Sequence, residues 1–194
     1  MFLDFEISLV KSFDQTALTI EKDIIDPNDL SPEGYSINGT DETLSRDTFA
    51  KKGANEYQMD RTYEGSLKLA PKTYDVLSKF GKAHRETDAN GVTTDAYKRY
   101  RDLKTLTEPL LFSPKAPNLK YRLWLKVIAN GGVNDFNASS QDYFKAEVPL
   151  KFFSVTYENK DIFWIEADTL EKVLTKWKDV IDKTGEEFFP DPLA

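Results

Sequence analysis

"EPLLFSPKAPNLKYRLWLKV", residues 108–127, sets a short apolar run broken by Pro109, Pro114 and Pro117 directly in front of an alternating segment. Proline fixes φ and removes an N–H, and the residue before each proline is pushed out of the α region, so 108–117 stays extended. From Tyr121 onward, Tyr121, Leu123, Leu125 and Val127 alternate with Arg122, Trp124, Lys126 and Ile128, the period of a strand, and "NGG" (130–132) closes it. Two extended segments in tandem place the chain among the sheet-rich folds. The prolines predict an edge position for the first, one that cannot pair indiscriminately.

Working outward, "EYQMDRTYEGSLKL" (56–69) puts Tyr57, Met59, Tyr63, Leu67 and Leu69 on one face. Arg61 and Gly65 interrupt that face, which predicts a bend or bulge. Between this strand and residue 108, "APKTYDVLSKFGKAHRE" (70–86) and "DAYKRYRDLKTL" (95–106) carry helical spacing. The first has Pro71 near its start and Tyr74, Leu77, Phe80 and His84 on one side. The second aligns Tyr97, Tyr100, Leu103 and Leu106, with "TDANGVT" as the turn between them.

At the N-terminal end "FLDFEISLV" alternates Leu3, Phe5, Ile7 and Leu9 against Asp4, Glu6 and Ser8, a half-buried strand, and "ALTIEK" predicts a shorter one. Residues 26–55, with Pro27, Pro32, Gly34 and Gly39 among Asp and Asn, read as a long loop or arm carrying one short strand. Downstream, "YFKAEVPLKFFSVTYE" is a long strand with Pro149 marking an edge position or bulge, and "DIFWIEA" is a short apolar strand. Residues 169–184 form an amphipathic helix. Asp168 is the predicted N-cap and Glu171 the capping-box residue. Leu170, Val173, Leu174, Trp177, Val180 and Ile181 make the stripe, and Gly185 is the stop. The tail "EEFFPDPLA" leaves Phe188 and Phe189 exposed. The expected class is α+β: mostly antiparallel sandwich or barrel-like sheets, one or two packed helices and the C-terminal helix. Residues 1–167 form the β-rich unit, with the arm at 26–55, and 168–194 pack on it.

Composition bounds the function. With 40% hydrophobic and 13% aromatic residues in 194, a packed core is expected. The absence of cysteine removes disulfides, thiolate catalysis and zinc–thiolate sites. Asp4 and Glu6 are ill placed for a secretory signal, and no apolar run reaches the roughly 18 residues that span a bilayer. The expectation is a soluble chain made in the cytoplasm, without membrane insertion. A net charge of −7 opposes general nucleic-acid affinity. The charge is segmental: −8 over 1–60, +7 over 61–130 and −6 over 131–194.

No catalytic signature emerges. His84 is the single histidine and reads as a helix-end residue; no G-x-S-x-G elbow accompanies it. Gly-rich phosphate loops are absent. Glu186–Glu187 reads as a solvated pair. "DPNDLSPEG" and "DANGVTTD" cluster oxygen ligands without EF-hand order, and Asp, Asn and Gly are ordinary turn residues. Asn38 and Asn137 match the glycosylation pattern, which has no meaning without secretion. "KRYRDLK" (98–104) fits an amphipathic helix better than a nucleic-acid patch. Trp124, Trp164 and Trp177 lie within strand or helix patterns and read as core or subunit-interface residues, the other reading being a sugar-stacking platform of a carbohydrate-binding β-sandwich module. No cofactor, metal or enzymatic role is expected.

The order of elements from 56 to 157 resembles the N-terminal domain of siphophage distal tail proteins. Its "YQMDRTYEGSLKL", the helices between Pro71 and Leu106, "TEPLLFSP", "KYRLWLKVIANG" and "AEVPLKFFSVTYE" follow that family's succession. The long C-terminal domain common there is replaced by one helix and a short tail, which keeps tail-tube and baseplate subunits in view. The resemblance implies a virion structural protein that joins other tail proteins and closes into a ring of its own copies, six by the family pattern, through which DNA passes. Combined with the segmental charge, it makes Arg99, Arg101, Lys104 and Arg122 candidates for contact with Asp41, Glu42 and Asp47 of a neighbouring copy's arm.

Overall fold

The computed structural model describes residues 4–48, 51–70, 84–87, 93–99, 106–129 and 146–189. In chain order the strands are β1 (Phe5–Asp14), β2 (Thr19–Ile24), β3 (Leu30–Thr48), β4 (Lys51–Leu69), β5 (His84–Thr87), β6 (Thr93–Arg99) and β7 (Leu106–Thr107). They continue with β8 (Leu110–Pro114), β9 (Tyr121–Trp124), β10 (Lys126–Ala129), β11 (Ala146–Phe153), β12 (Val155–Tyr157), β13 (Lys160–Ile162) and β14 (Trp164–Ala167). Helix α1 (Leu170–Thr184) follows. One five-stranded sheet has the order β14-β9-β8-β1-β2 and a second the order β3-β4-β11-β10-β7; β12–β13 and β5–β6 are separate hairpins. Every described pairing is antiparallel. The α+β class, sheets plus a C-terminal helix, is the one the sequence predicts.

The first sheet is a middle layer. Ile7 and Leu9 of β1 with Leu110 and Phe112 of β8 turn toward the second sheet, meeting Leu67, Leu69, Val127, Val148 and Leu150 in one apolar core. The alternate residues Val10, Leu111, Leu123 and Ile165 form a second core with Val173, Leu174, Trp177 and Val180 of α1. Strands buried on both faces lose strict polar alternation, which is why "EPLLFSP" reads as a continuous apolar run.

That placement corrects the edge expectation. β8 lies between β1 and β9, with Leu111 opposite both Ser8 and Leu123. The prolines bracket the strand rather than interrupt its ladder: Pro109 precedes it, Pro114 is its last residue, and the Pro109 carbonyl still accepts from Val10 N–H at 2.9 Å. Pro149 makes no bulge, since the β4–β11 register runs through it without a shift. It pairs with Ser66 of β4, one residue past Ala129–Leu150, the last β10–β11 pair among the described residues.

The alternating segment of residues 121–129 divides at Leu125. β9 pairs with β8 and β14 in the first sheet, while β10 pairs with β11 and β7 in the second. Leu125 is fully buried and its N–H donates to Phe163 O at 3.0 Å. The crossing buries Trp124 beside Leu123 and Leu125, a break in the two-residue period.

Three other readings change. Residues 30–48 form a strand of 19 residues, β3, paired with β4, where the composition predicts a long loop or arm carrying one short strand. Gly34 at φ 66° and a register shift between Leu30 and Tyr35 absorb the turn-forming residues without ending the strand. The expected irregularity of this strand falls at Met59, between the Glu42–Asp60 and Thr43–Gln58 pairs, and not at Gly65. Gly65 pairs with Ile37 and with Leu150, and a Cβ there would sit 2.1 Å from Ser36 O, so glycine serves close backbone approach. The helical readings fail over 84–86, 95–99 and Leu106, which lie in β5, β6 and β7, with His84 opposite Arg99. Threonines at 87, 93 and 94 in this stretch favour extended backbone. Residues 71–83 and 100–105 of the predicted helices lie outside the described residues.

Helix α1 keeps its stripe and its Gly185 stop, which adopts φ 67° and donates to Ile181 O. Its N-cap is Thr169 rather than Asp168: Thr169 is extended and its hydroxyl accepts from Lys172 N–H. The capping-box reading fails with the shift, because Lys172 then occupies N3; Glu171 contributes as a first-turn acid. The Asp168 carboxylate instead binds Lys172 Nζ at 2.8 Å, which holds it below its ordinary pKa. The tail folds back. Phe188 is buried, edge-on to Trp177 at 5.6 Å, and Phe189 lies 5.9 Å from the same ring, against the expectation that both are exposed.

Candidate assembly and binding surfaces

The β3–β4 hairpin is the most extended feature. β4 pairs with β11 from Leu69 to Tyr63. From Thr62 to Lys51 its described partner is β3 alone, with register shifts near Glu42 and Arg46. Twelve residues at about 3.3 Å each give a two-stranded ribbon of roughly 40 Å. At its base Tyr63 stands opposite Gly39, where a Cβ would come within 2.6 Å of the ring. The glycine leaves room for the aromatic ring, a cross-strand pairing that pins register.

The sequence-predicted contact residues fall in three places. Asp41, Glu42 and Asp47 lie on β3 within this ribbon, and the backbone register sets Asp41 opposite Arg61 and Glu42 opposite Asp60. Arg99 ends β6. Arg101 and Lys104 lie outside the described residues. Arg122 is engaged within its own chain: Nε and Nη2 donate to Glu166 at 2.9 and 2.6 Å, and the guanidinium lies 5.4 Å from the centroid of the Trp164 ring.

An aromatic wall closes one end of the space between the sheets. Tyr63 meets Phe163, Trp164 and Trp124 edge-on at 4.8, 5.3 and 5.4 Å, and Trp124 also packs on Phe152 and Trp164. A groove lies on each side. The larger, about 850 Å³, runs between Arg61–Glu64, Lys151–Ser154 and Asp161–Trp164, and includes the exposed Phe153. The other, about 530 Å³, has Phe5, Phe112 and Trp124 at its apolar side, Tyr35, Ile37, Tyr63 and Trp164 as walls, and Asn118, Lys120, Arg122 and Glu166 at its rim. Burial raises the Tyr35 phenol above its ordinary pKa, with Arg122 opposing and Asp4 adding to that rise. Sequence reasoning missed this groove, although the alternation places Arg122 on the same face of β9 as Trp124, a charge beside a core ring.

Two polar clusters hold the layers. Lys11 of β1 binds Glu108 at 2.7 and 3.0 Å; burial raises the Glu108 pKa while Lys11 pulls it down. Tyr157 pins α1 to the β12–β13 hairpin. Its hydroxyl donates to Asp179 at 2.5 Å and accepts from Lys176 and Lys183 at 2.7 and 3.0 Å. These contacts, the tyrosine hydrogen bond foremost, hold Asp179 at about 2. Hydrogen bonds to Glu158, Tyr157 and Asp179 raise Lys183 above its ordinary range. Both clusters are internally satisfied and carry no open nucleophile. Among the described residues no group of acidic or histidine side chains is arranged to hold a metal ion, and no helix is long and apolar enough to cross a membrane.

Neither a protein-family model nor a curated protein sequence matches the chain. Several solved structures are similar. The tail of an empty gene transfer agent particle, refined with sixfold helical symmetry, shares 12% identity over 82% of this chain and 95% of that one, with a TM-score of 0.43. The SPP1 tail tube shares 11% over 96% and 90%, at 0.46. The baseplate of the anti-feeding prophage shares 10% over 86% and 94%, at 0.40. With identities this low and every TM-score below 0.5, the chain's own geometry has to carry the functional reading.

Proposed function

We propose that the chain is a structural, non-enzymatic subunit of a phage tail, located in the virion and built into a distal-tail, tail-tube or baseplate ring. Copies join one another and other tail proteins, and close head to tail, six to a ring by the family pattern, around a path for DNA. The observation that carries this reading is the β3–β4 ribbon. A two-stranded ribbon is marginal in water unless another surface covers it, and about 40 Å of it extends past the last β11 pair. A second copy of the same chain supplies that surface in every ring position. In such a heterologous contact two different patches of one molecule meet. The acidic Asp41, Glu42 and Asp47 of the ribbon then face the basic Arg99, Arg101 and Lys104 of a neighbour. Arg122, held by Glu166, borders that contact. Acidic net charge overall keeps DNA from adhering to the assembled ring.

Light scattering with negative-stain imaging of the purified chain tests this. Rings or stacked rings are expected, and assembly of the Arg99→Glu/Arg101→Glu double variant should slow and lose its salt response between roughly 50 and 500 mM, where exposed charges become screened. A strictly monomeric chain at high concentration, alone and with partner tail proteins, overturns the reading. Unchanged assembly of the variant with no salt dependence in either protein removes the charge contact while leaving the ring.

A further inference from the structure

Arg122 and Glu166 occupy an unexpected face. Trp124 and Arg122 are two residues apart on β9, and Trp164 and Glu166 two apart on β14, with Trp124 opposite Trp164 and Arg122 opposite Glu166. Side chains two apart share a face. Phe112, opposite Arg122 on β8, belongs with Trp124 to the core between the two sheets. The ion pair therefore continues the inward face, at the end where a groove of about 530 Å³ opens; across it Tyr35 packs edge-on against Phe112 and Tyr63 against Trp124 and Trp164. The pair keeps solvent access, its side chains 44% and 30% exposed, so it forms a polar rim where the apolar face ends.

We propose that this groove binds a neutral hexopyranose unit. Such a ring offers C–H faces to aromatic walls and a rim of hydroxyls that both donate and accept. The groove matches both halves: Tyr35, Tyr63 and Trp164 line it, the Arg122 guanidinium supplies donors, the Glu166 carboxylate acceptors, and the Asn118 amide one of each kind. Arg122 and Glu166 neutralise each other at 2.6 Å, so the rim does not select for a charged ligand. Lys120, 3.7 Å from Glu166, stays largely solvated. An aromatic side chain from a partner protein would fill the apolar half but leave the rim groups without new partners. The volume falls within the range of small-ligand sites. This inference does not depend on ring assembly, since the groove is complete within one chain.

The test uses the full chain with methyl glucoside, methyl galactoside and N-acetylglucosamine, followed by saturation-transfer NMR and tryptophan emission. A single sugar ring in an open groove should bind with Kd near 1 mM, so titration to about 20 mM reaches saturation. Trp164→Leu and Glu166→Gln should each weaken binding at least tenfold, and Lys172→Ala, on helix α1, should leave it unchanged. Circular dichroism checks that each variant is folded; if Trp164→Leu is not, Glu166→Gln decides alone. No saturable signal from any of the three sugars overturns the proposal, as does undiminished affinity in Glu166→Gln. Glucuronate binding tenfold tighter than methyl glucoside overturns the assignment to a neutral ligand.

Discussion

Replacing Trp177 by alanine removes the side chain that joins helix, sheet and tail. The indole is fully buried, stacked on Phe13 at 4.5 Å and 6° and met by Phe188 and Phe189. Truncating a buried tryptophan costs about 3–5 kcal/mol through lost transfer energy and the cavity left behind. Each of the aromatic pairs contributes about 0.5–1.5 kcal/mol beyond its area. Against this, the buried indole N–H has no hydrogen-bond partner among the described residues, and deleting it returns about 1–3 kcal/mol. The net expectation is a loss of about 4 kcal/mol. With a urea slope of about 2 kcal/mol per M, the midpoint should fall by about 2 M in far-ultraviolet circular dichroism. Trp177→Phe, which keeps a ring and drops the unpaired N–H, should lose less than half as much. A loss below about 1 kcal/mol for the alanine variant, with the slope unchanged, would refute the reasoning, because the second core could not then be organised around this ring.

Gly65→Ala should destabilise by more than about 2 kcal/mol in the same assay, opposite in sign to the usual gain of about 0.5–1 kcal/mol when alanine replaces glycine in a strand. Gly39→Ala should cost less, because the obstacle there is the Tyr63 ring rather than backbone; equal effects at the two sites would show that close approach is not the cause. Asp179 has a depressed folded pKa, about 2 against 3.8, so the stability it contributes is present above pH 4 and lost as pH falls from about 4 to 2. Wild type should exceed Asp179→Asn in thermal midpoint at pH 6, and the two should converge near pH 2; a constant gap across that window contradicts the assignment.

Legibility followed the range of the determining contacts. The stripe of α1 and its Gly185 stop were readable because a helix facing one core writes its burial in a local period. The N-cap was misplaced by one residue because both Asp168 and Thr169 have capping chemistry, and only the extended backbone at Thr169 decides between them. β8 is legible as extended chain, but its prolines point to an edge, since proline content reports on the ladder only when its position within the strand is known. The arm's prolines and glycines outweighed its strand signal, and β4 across the hairpin, invisible to local composition, reversed the balance. The groove was the least legible. Its walls come from β1, β3, β4, β8, β9 and β14, and no single segment carries more than a fragment of it.

The passage of the chain from one sheet to the other at Leu125 has a kinetic consequence. β9 reaches its place only when β8 and β14 flank it, and β10 only when β11, more than twenty residues further on, has arrived. Because one buried residue separates the two strands, neither sheet can close its ladder and wait for the other. Loop closure over such separations comes before the contacts that reward it, so folding should be slow and dominated by a late barrier. For the same reason the body should unfold in one cooperative transition, without an intermediate in which a single sheet survives.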